Sequence, residues 1–339
     1  MIDLSKVSII VPIYKVEEFL PKCLDSLIGQ TFKDIEIWAI SDGSPDKSLD
    51  IAKEYAKKDK RIKCIEKENG GWGSVIEYAI NNIKTEYFMI CDPDDWLRED
   101  AVEVLYNAAT RNKVDFVRGN FYFVYSDDKK EEVGKGFSYP EIFTPESGKV
   151  YRENVRDFWF LGPNPHAKFY KTKLAKGIEL PHHVSYDDAV LYKFYIANCK
   201  SAMYIDEPLA YYLIDREGNT MTDANPKIID YHRVIFDSTL KQYKEVKGDK
   251  VKLLYLMFLE LMFLNSELCR IFGKKYNKYR YKLYPMLKEL INMRKSILPY
   301  VDKYNSGSRR ISYHLLLNPV TYKPLLYYFS KVHINRYNH

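Results

Sequence analysis

The sequence predicts an α/β protein, a mostly parallel sheet with helices on both faces followed by a helical C-terminal region. Three observations predict it. Short apolar runs of strand length alternate with amphipathic helical stretches over residues 7–118. Beyond residue 226 apolar residues recur at helical spacing instead. The charge also changes sign along the chain: from Lys250 onward there are 17 Lys+Arg against 4 Asp+Glu, a balance of +13 within a chain of +6, so the first 249 residues carry −7. With 339 residues, 46% of them hydrophobic, the chain can bury a substantial core and is expected to form two domains, 1–222 and 223–339.

The elements follow in order. Val7-Ser-Ile-Ile-Val-Pro-Ile13 is apolar almost throughout, as a strand covered on both faces must be. Leu20, Leu24, Leu27 and Ile28 fall at i, i+4, i+7 and i+8, one face of a helix. Residues 35–40 form a second strand, stopped by the turn Ser41-Asp-Gly-Ser-Pro-Asp46. The Lys/Glu-rich stretch 48–58 is a surface helix, 62–65 a third strand, and Asn69-Gly-Gly-Trp-Gly73 opens another helix. A strand over 87–91 and a helix over 97–109 complete the regular part. In such sheets ligands bind beyond the carboxyl ends of the strands, which selects the loops to read. Residues 119–222 are less regular, with a strand at 121–125, a Gly/Pro/Ser-rich loop at 134–148 and helical stretches at 152–160 and 187–198. Asp223-Ala-Asn-Pro226 reads as a hinge. Behind it, Leu253, Leu254, Met257, Phe258, Leu261 and Leu264 mark the clearest helix, and Pro285, Pro299, Pro319 and Pro324 are expected as breaks or first-turn residues.

Composition excludes several classes. The five cysteines, Cys23, Cys64, Cys91, Cys199 and Cys269, are far apart and form no CxxC pair, which argues against a disulfide scaffold or cysteine zinc site and fits a reducing cytosol. The first six residues lead straight into a strand, so no signal peptide is expected. The apolar stretch 253–264 contains Glu260 and is too short to span a bilayer.

Three acidic constellations stand where a ligand would bind. Asp42 ends the second strand in a turn of Gly43, Ser44 and Pro45, where turn chemistry alone is a sufficient account. Cys91-Asp92-Pro-Asp94-Asp95-Trp96 follows an apolar strand directly, and its three carboxylates repel one another unless a cation or donor groups intervene. Asp92 and Asp94 read as metal and nucleotide ligands, while Asp95 also suits a cap for the helix that follows. Ser185-Tyr-Asp187-Asp188 opens a helix, where an acidic pair serves either the helix dipole or catalysis. His182-His183 beside Pro181 reads as a solvated loop, because adjacent residues point apart and no third ligand is spaced to join them.

Taken together, Val7-Ser-Ile-Ile-Val-Pro-Ile-Tyr14, Leu24-Asp-Ser-Leu-Ile-Gly-Gln-Thr-Phe32, Ser41-Asp-Gly-Ser-Pro-Asp46, Asn69-Gly-Gly71 and Asp92-Pro-Asp-Asp-Trp-Leu97 resemble the ordered motifs of family 2 glycosyltransferases over roughly residues 5–222. The resemblance implies a GT-A fold and an inverting, metal-dependent hexosyl- or N-acetylhexosaminyl-transferase of bacterial cell-surface polysaccharide synthesis, with a UDP-sugar donor and a glycan or lipid-linked acceptor. It assigns Pro12, Tyr14, Glu17, Asp42, Asn69, Asp92, Pro93 and Arg216 to the nucleotide, with Asp42 accepting a hydrogen bond from the base and Arg216 closing over the diphosphate. Asp94 with Asp92 would hold Mg²⁺ or Mn²⁺, and Asp188 would be the general base. Trp72, His166, Lys168 and Asp187 would face the donor sugar or acceptor, with a packed Trp and a structural His as the plainer readings. The sequence departs from the family pattern at Lys15, Ser41 and Trp72.

Two other classes compete. A haloacid-dehalogenase-like phosphotransferase also carries DxD after a strand, but its nucleophile follows an early strand and precedes Thr or Val, whereas Asp95-Trp96 follow here. A non-catalytic glycan-binding module leaves the acidic triad and Asp188 without a purpose. The basic, Tyr-rich rear implies either peripheral docking on an anionic membrane at its cytoplasmic face or a helical packing surface, including a homo-oligomer contact. No nucleic-acid partner is expected.

Overall fold

The computed structural model describes residues 5–125, 131–215, 227–246 and 250–328. The chain divides into two compact units, Met1–Asp223 and Ala224–His339. In the first unit the strands are β1 (Val7–Ile13), β2 (Ile35–Asp42), β3 (Ile62–Lys67), β4 (Tyr87–Ile90), β5 (Trp96–Leu97), β6 (Phe116–Val124), β7 (Glu131–Gly134), β8 (Val150–Tyr151), β9 (Lys168–Lys171) and β10 (Ala202–Leu213). They form one sheet in the order β3-β2-β1-β4-β9-β6-β10-β5, with β7 added to β6 and β8 to β10. β1, β2, β3, β4, β6 and β10 run in one direction, and β9 lies antiparallel between β4 and β6. The α/β architecture with a mostly parallel central sheet is therefore as the sequence implies.

Period-two alternation splits the apolar strands between two faces. Val7, Ile9, Val11 and Ile13 share a core with residues of α1 (Leu20–Ile28), α2 (Ser48–Lys58) and α4 (Ala101–Arg111). The other face receives α3 (Trp72–Asn82), which packs on β1 and β2 with Val75, Ile76, Ala79 and Ile80 buried. α5 (Asp188–Asn198) begins at the second acid of the Asp187–Asp188 pair.

Several elements differ from the sequence pattern. The strand read at 121–125 begins at Phe116. The twelve-residue β10 was not foreseen, because Asp206-Glu-Pro208 interrupts its alternation; the structure accommodates Pro208 at a register shift. β9 is short and flanked by lysines, so it carries little strand signal. The stretch at 152–160 is a 3₁₀ segment, Val155–Phe160. α4 starts at Ala101 with Asp100 before it, so Asp95 does not cap it.

In the second unit, α6 (Ile228–Glu245), α7 (Val251–Phe272), α8 (Tyr284–Asn292), α9 (Arg294–Tyr304) and α10 (Gly307–Leu316) account for most of the described residues. Pro285 lies in the first turn of α8, whereas Pro299 sits inside α9 rather than ending it. The hinge read at 223–226 lies outside the described residues. Among them, no helix is long and apolar enough to cross a membrane.

Gln30, just beyond α1, ties three segments of this scaffold together. Its amide nitrogen donates to the Ser26 and Arg98 carbonyls at 3.0 and 2.8 Å, and its oxygen accepts from Val102 N at 3.1 Å, in the first turn of α4. Gln30→Ala leaves the buried Val102 amide and two half-buried carbonyls without this partner and is expected to cost about 1–3 kcal/mol, read as a lower urea midpoint at unchanged slope. An unchanged midpoint would show that water replaces the amide at no cost.

Candidate active site

The loop after β1 is clamped to the loop after β2. Lys15 N donates to Ser44 Oγ at 2.8 Å, Glu17 N to Asp46 Oδ2 at 3.1 Å, and Lys47 N to Glu17 Oε2 at 2.8 Å. Pro12 is buried, Tyr14 is exposed, and the Glu17 carboxylate serves this clamp.

Asp42, at the end of β2, turns back onto the start of α3. Its carboxylate accepts Gly71 N at 2.7 Å, Gly70 N at 3.0 Å, Asn69 Nδ2 at 3.1 Å and Lys67 Nζ at 2.7 Å. A nucleotide base at this carboxylate would share oxygens with these four donors. Gly71 has φ of +86°, a conformation that suits glycine, which aims both amides at one acid. The next residue, Trp72, donates its indole N–H to Asp92 Oδ1 at 3.0 Å. Gly73 N donates to Asp187 Oδ2 at 2.7 Å. All three acidic constellations therefore meet at the N-terminus of α3, where unpaired amides and the helix dipole favour negative charge.

Behind them stands His166. Its Nδ1 lies 3.1 Å from Asp95 Oδ2, its ring stacks on Tyr212 at 4.3 Å, and Asp95 Oδ1 accepts Leu213 N at 3.0 Å. One ligand atom each from Asp92, Asp95 and His166 fall within 4.8 Å of one another. The sequence paired Asp92 with Asp94 as metal ligands; the structure gathers Asp92 with Asp95 and His166, and places buried Asp94 near enough for its charge to act on the imidazole. The charge of Asp188 acts there too. Pro93 is buried between the acids.

Burial governs the titration of this cluster. It lifts Asp92 to about 7, reinforced by the charges of Asp95 and Asp94. It lifts Asp187 to about 8, with Asp188 adding to the effect. Burial raises half-buried Asp188 as well, against the lowering influence of Lys168. The same burial pushes His166 down to about 4, so its imidazole is neutral and can offer a lone pair. Lys168 corrects an expectation. It is fully buried, which holds its pKa well below the usual lysine range, and its Nζ donates to the Asn164 carbonyl and, at 2.9 Å, to Asn164 Oδ1, so it braces the segment that carries His166 rather than facing a sugar. Arg216 lies outside the described residues. Asp95 and Tyr212 were missed as site residues. Asp95 was legible as the third acid of its run, but nothing in the sequence links Tyr212 to His166.

The sequence profile of Glycosyl transferase family 2 matches residues 8–178. The chain belongs to that family. It is similar to the uncharacterized glycosyltransferase EpsJ of Bacillus subtilis, 43% identical over 158 residues that cover 46% of each chain. It is 29% identical over 259 residues to the poly(ribitol-phosphate) beta-glucosyltransferase of Bacillus spizizenii, covering 74% of this chain and 39% of that one. The matched parts thus span less than half of these curated relatives. Among solved structures, the fold resembles Staphylococcus aureus TarS 1-349 in complex with UDP-GlcNAc, with a TM-score of 0.64, 20% identity, and coverage of 98% of this chain and 89% of that one.

The raised acids make stability depend on pH. Asp92 and Asp187 hold protons in the folded state that the unfolded chain releases near 3.8, so their contribution to stability is lost as pH rises to about 7 and 8. His166, depressed from 6.5, acts in the opposite sense only below about pH 6.5. In chelating buffer, Tm of Asp187→Asn is expected to fall less than that of the unsubstituted protein between pH 6.5 and 8. Parallel Tm profiles would remove Asp187 from this role.

Proposed function

We propose that this chain transfers a sugar from a UDP-linked donor to a hydroxyl of a glycan or lipid-linked acceptor, with inversion at the anomeric carbon, in bacterial cell-surface polysaccharide synthesis. The observation that carries the reading is the convergence of Asp42, Asp92 and Asp187 on the start of α3, beside His166 and Asp188. The neighbour that holds UDP-GlcNAc supports the choice of donor, and the family match speaks against both the phosphotransferase and the non-catalytic module. Residues 1–222 would carry the chemistry and 223–339 the docking.

The residues present fit a divalent cation, because two crowded carboxylates and a neutral imidazole converge. Asp92, Asp95 and His166, with Asp94 beside them, would hold Mg²⁺ or Mn²⁺. When bound, the ion offsets charge developing on the departing diphosphate. Trp72 holds Asp92 in place through its indole N–H, and Asp187 fixes the start of α5 against α3. Asp188, next in the chain and half-buried, takes the acceptor proton as the hydroxyl oxygen attacks the anomeric carbon from the face opposite the diphosphate; its burial-raised pKa moves it toward the range where a general base is effective.

Asp188→Asn is expected to lower kcat about 10²–10⁴-fold while the Kd for UDP changes little, measured by nucleotide release and calorimetry. A product that keeps the donor's anomeric configuration, or full turnover by the Asn variant, would refute this mechanism.

The second unit is proposed to dock on an anionic membrane. α10 exposes Ile311 and Leu315 beside Arg309 and Arg310, and Val320 is exposed just beyond it. Each cation near such a surface contributes about 1 kcal/mol and is screened by salt. The full chain is expected to sediment with phosphatidylserine vesicles at low salt and to be released at high salt, and Arg309→Glu with Arg310→Glu should weaken binding. Failure of the full chain to sediment with either anionic or neutral vesicles would favour the packing surface instead.

A further inference from the structure

Along the exposed flank of α3 runs a groove of about 580 Å³, and the His182–His183 pair forms its other wall. Its helical side is a polar stripe at i, i+3, i+4, i+7 and i+8: Ser74, Glu77, Tyr78, Asn81 and Asn82. The opposite wall is fixed rather than loose. Leu180 N donates to Glu77 Oε2 at 2.8 Å, and His183 N donates to the Gly70 carbonyl at 2.8 Å. His183 holds a left-handed φ of +55° to do so, and a Cβ on Gly71 would come within 3.0 Å of its amide nitrogen. The groove begins at Asn69–Gly70, the loop that grips Asp42, and the His182–His183 wall lies just before Asp187 and Asp188 in the chain.

The lining specifies the kind of ligand. Amide, imidazole, hydroxyl and carboxylate groups offer donors and acceptors side by side, which suits hydroxyl groups that do both. Tyr78, 39% exposed, supplies an aromatic face. The cation at the head of the groove, Lys67, is taken up by Asp42, Ser74 Oγ and the Glu68 carbonyl, while Glu68 and Glu77 keep the rim acidic. A phosphodiester polymer would meet two carboxylates there. We infer that this groove binds the acceptor, and that the acceptor segment it takes is an uncharged, hydroxyl-rich glycan rather than a polyol-phosphate chain. This rests on the transferase reading above.

The test uses the full chain with three probes, cellobiose, N,N′-diacetylchitobiose and sn-glycerol 3-phosphate, followed by saturation-transfer NMR in chelator without donor. One or both neutral disaccharides are expected to give transfer, and glycerol phosphate none. Tyr78→Ala and Asn81→Ala, both at exposed positions, should each weaken the disaccharide at least about 10-fold, with UDP affinity and slow donor hydrolysis unchanged. Lack of binding by both disaccharides, stronger binding of glycerol phosphate, or indifference to both substitutions would overturn the groove assignment. If the unsubstituted chain neither binds UDP nor hydrolyses any UDP-sugar, the transferase reading fails, whatever the groove does.

Discussion

Everything in the first unit depends on how the backbone amides at the start of α3 are satisfied. A helix begins with amides that its own carbonyls cannot reach, and burying them without partners is costly. Here the partners are carboxylates from distant parts of the chain: Asp42 from the end of β2 takes Gly70 and Gly71, and Asp187 from the start of α5 takes Gly73. A third acid, Asp92, is reached by the indole of Trp72 between them. The helix therefore starts correctly only when the second strand, the loop after β4 and the α5 segment are all in place. Small residues are required here for steric reasons: a Cβ on Gly73 would stand 2.4 Å from the Pro181 carbonyl oxygen and 2.6 Å from Asp187 Oδ2.

That arrangement has an electrostatic consequence. Gathering several acids in one buried place raises the energy of their charged forms, and the raised Asp92 and Asp187 report it. The helix dipole and the amide donors offset part of this cost, and His166 stays neutral rather than neutralising them. The site thus retains a demand for positive charge, which suits the divalent cation proposed for Asp92, Asp95 and His166. Lys168 meets that demand only in part: its charge lowers the Asp188 pKa, but burial holds its own pKa well below the usual lysine range and its Nζ is bound to Asn164.

Much of this was legible in the sequence. The apolar runs of β1, β2 and β4 and the acids that end or follow them announced a parallel sheet with its chemistry at the carboxyl edge, and α5 began where the Asp187–Asp188 pair put it. What escaped was set by tertiary context. β10 hides its strand pattern behind Asp206, Glu207 and Pro208, because a bulge tolerates what a regular ladder does not. Lys168, which the family resemblance sets against the donor sugar or acceptor, is buried, because Asn164 offers two acceptors four residues earlier. Asp95 reads as a helix cap and instead joins β10 to His166, a choice that depends on a strand more than a hundred residues away.

The place of His166 follows from strand direction alone. Parallel strands bring their carboxyl ends to one edge, so a residue that precedes a parallel strand lies at the wrong end to meet Asp92. β9 is antiparallel to β4, which reverses that rule. The pairing of Met89 with Phe169 fixes the register. Carried three residues further, beyond the end of β4 and before the start of β9, the same register sets Asp92 against His166. One reversed strand in the middle of the sheet thus delivers an imidazole to an edge that otherwise collects only acids. The left-handed backbone at Ala167, with φ of +49°, breaks the extended path there, and the ring comes to rest stacked on Tyr212 with its Nδ1 facing Asp95. The Asp–Asp–His group is therefore a product of sheet topology, and a chain with the same acids but β9 reversed would have carboxylates at this edge without the neutral nitrogen that completes the set.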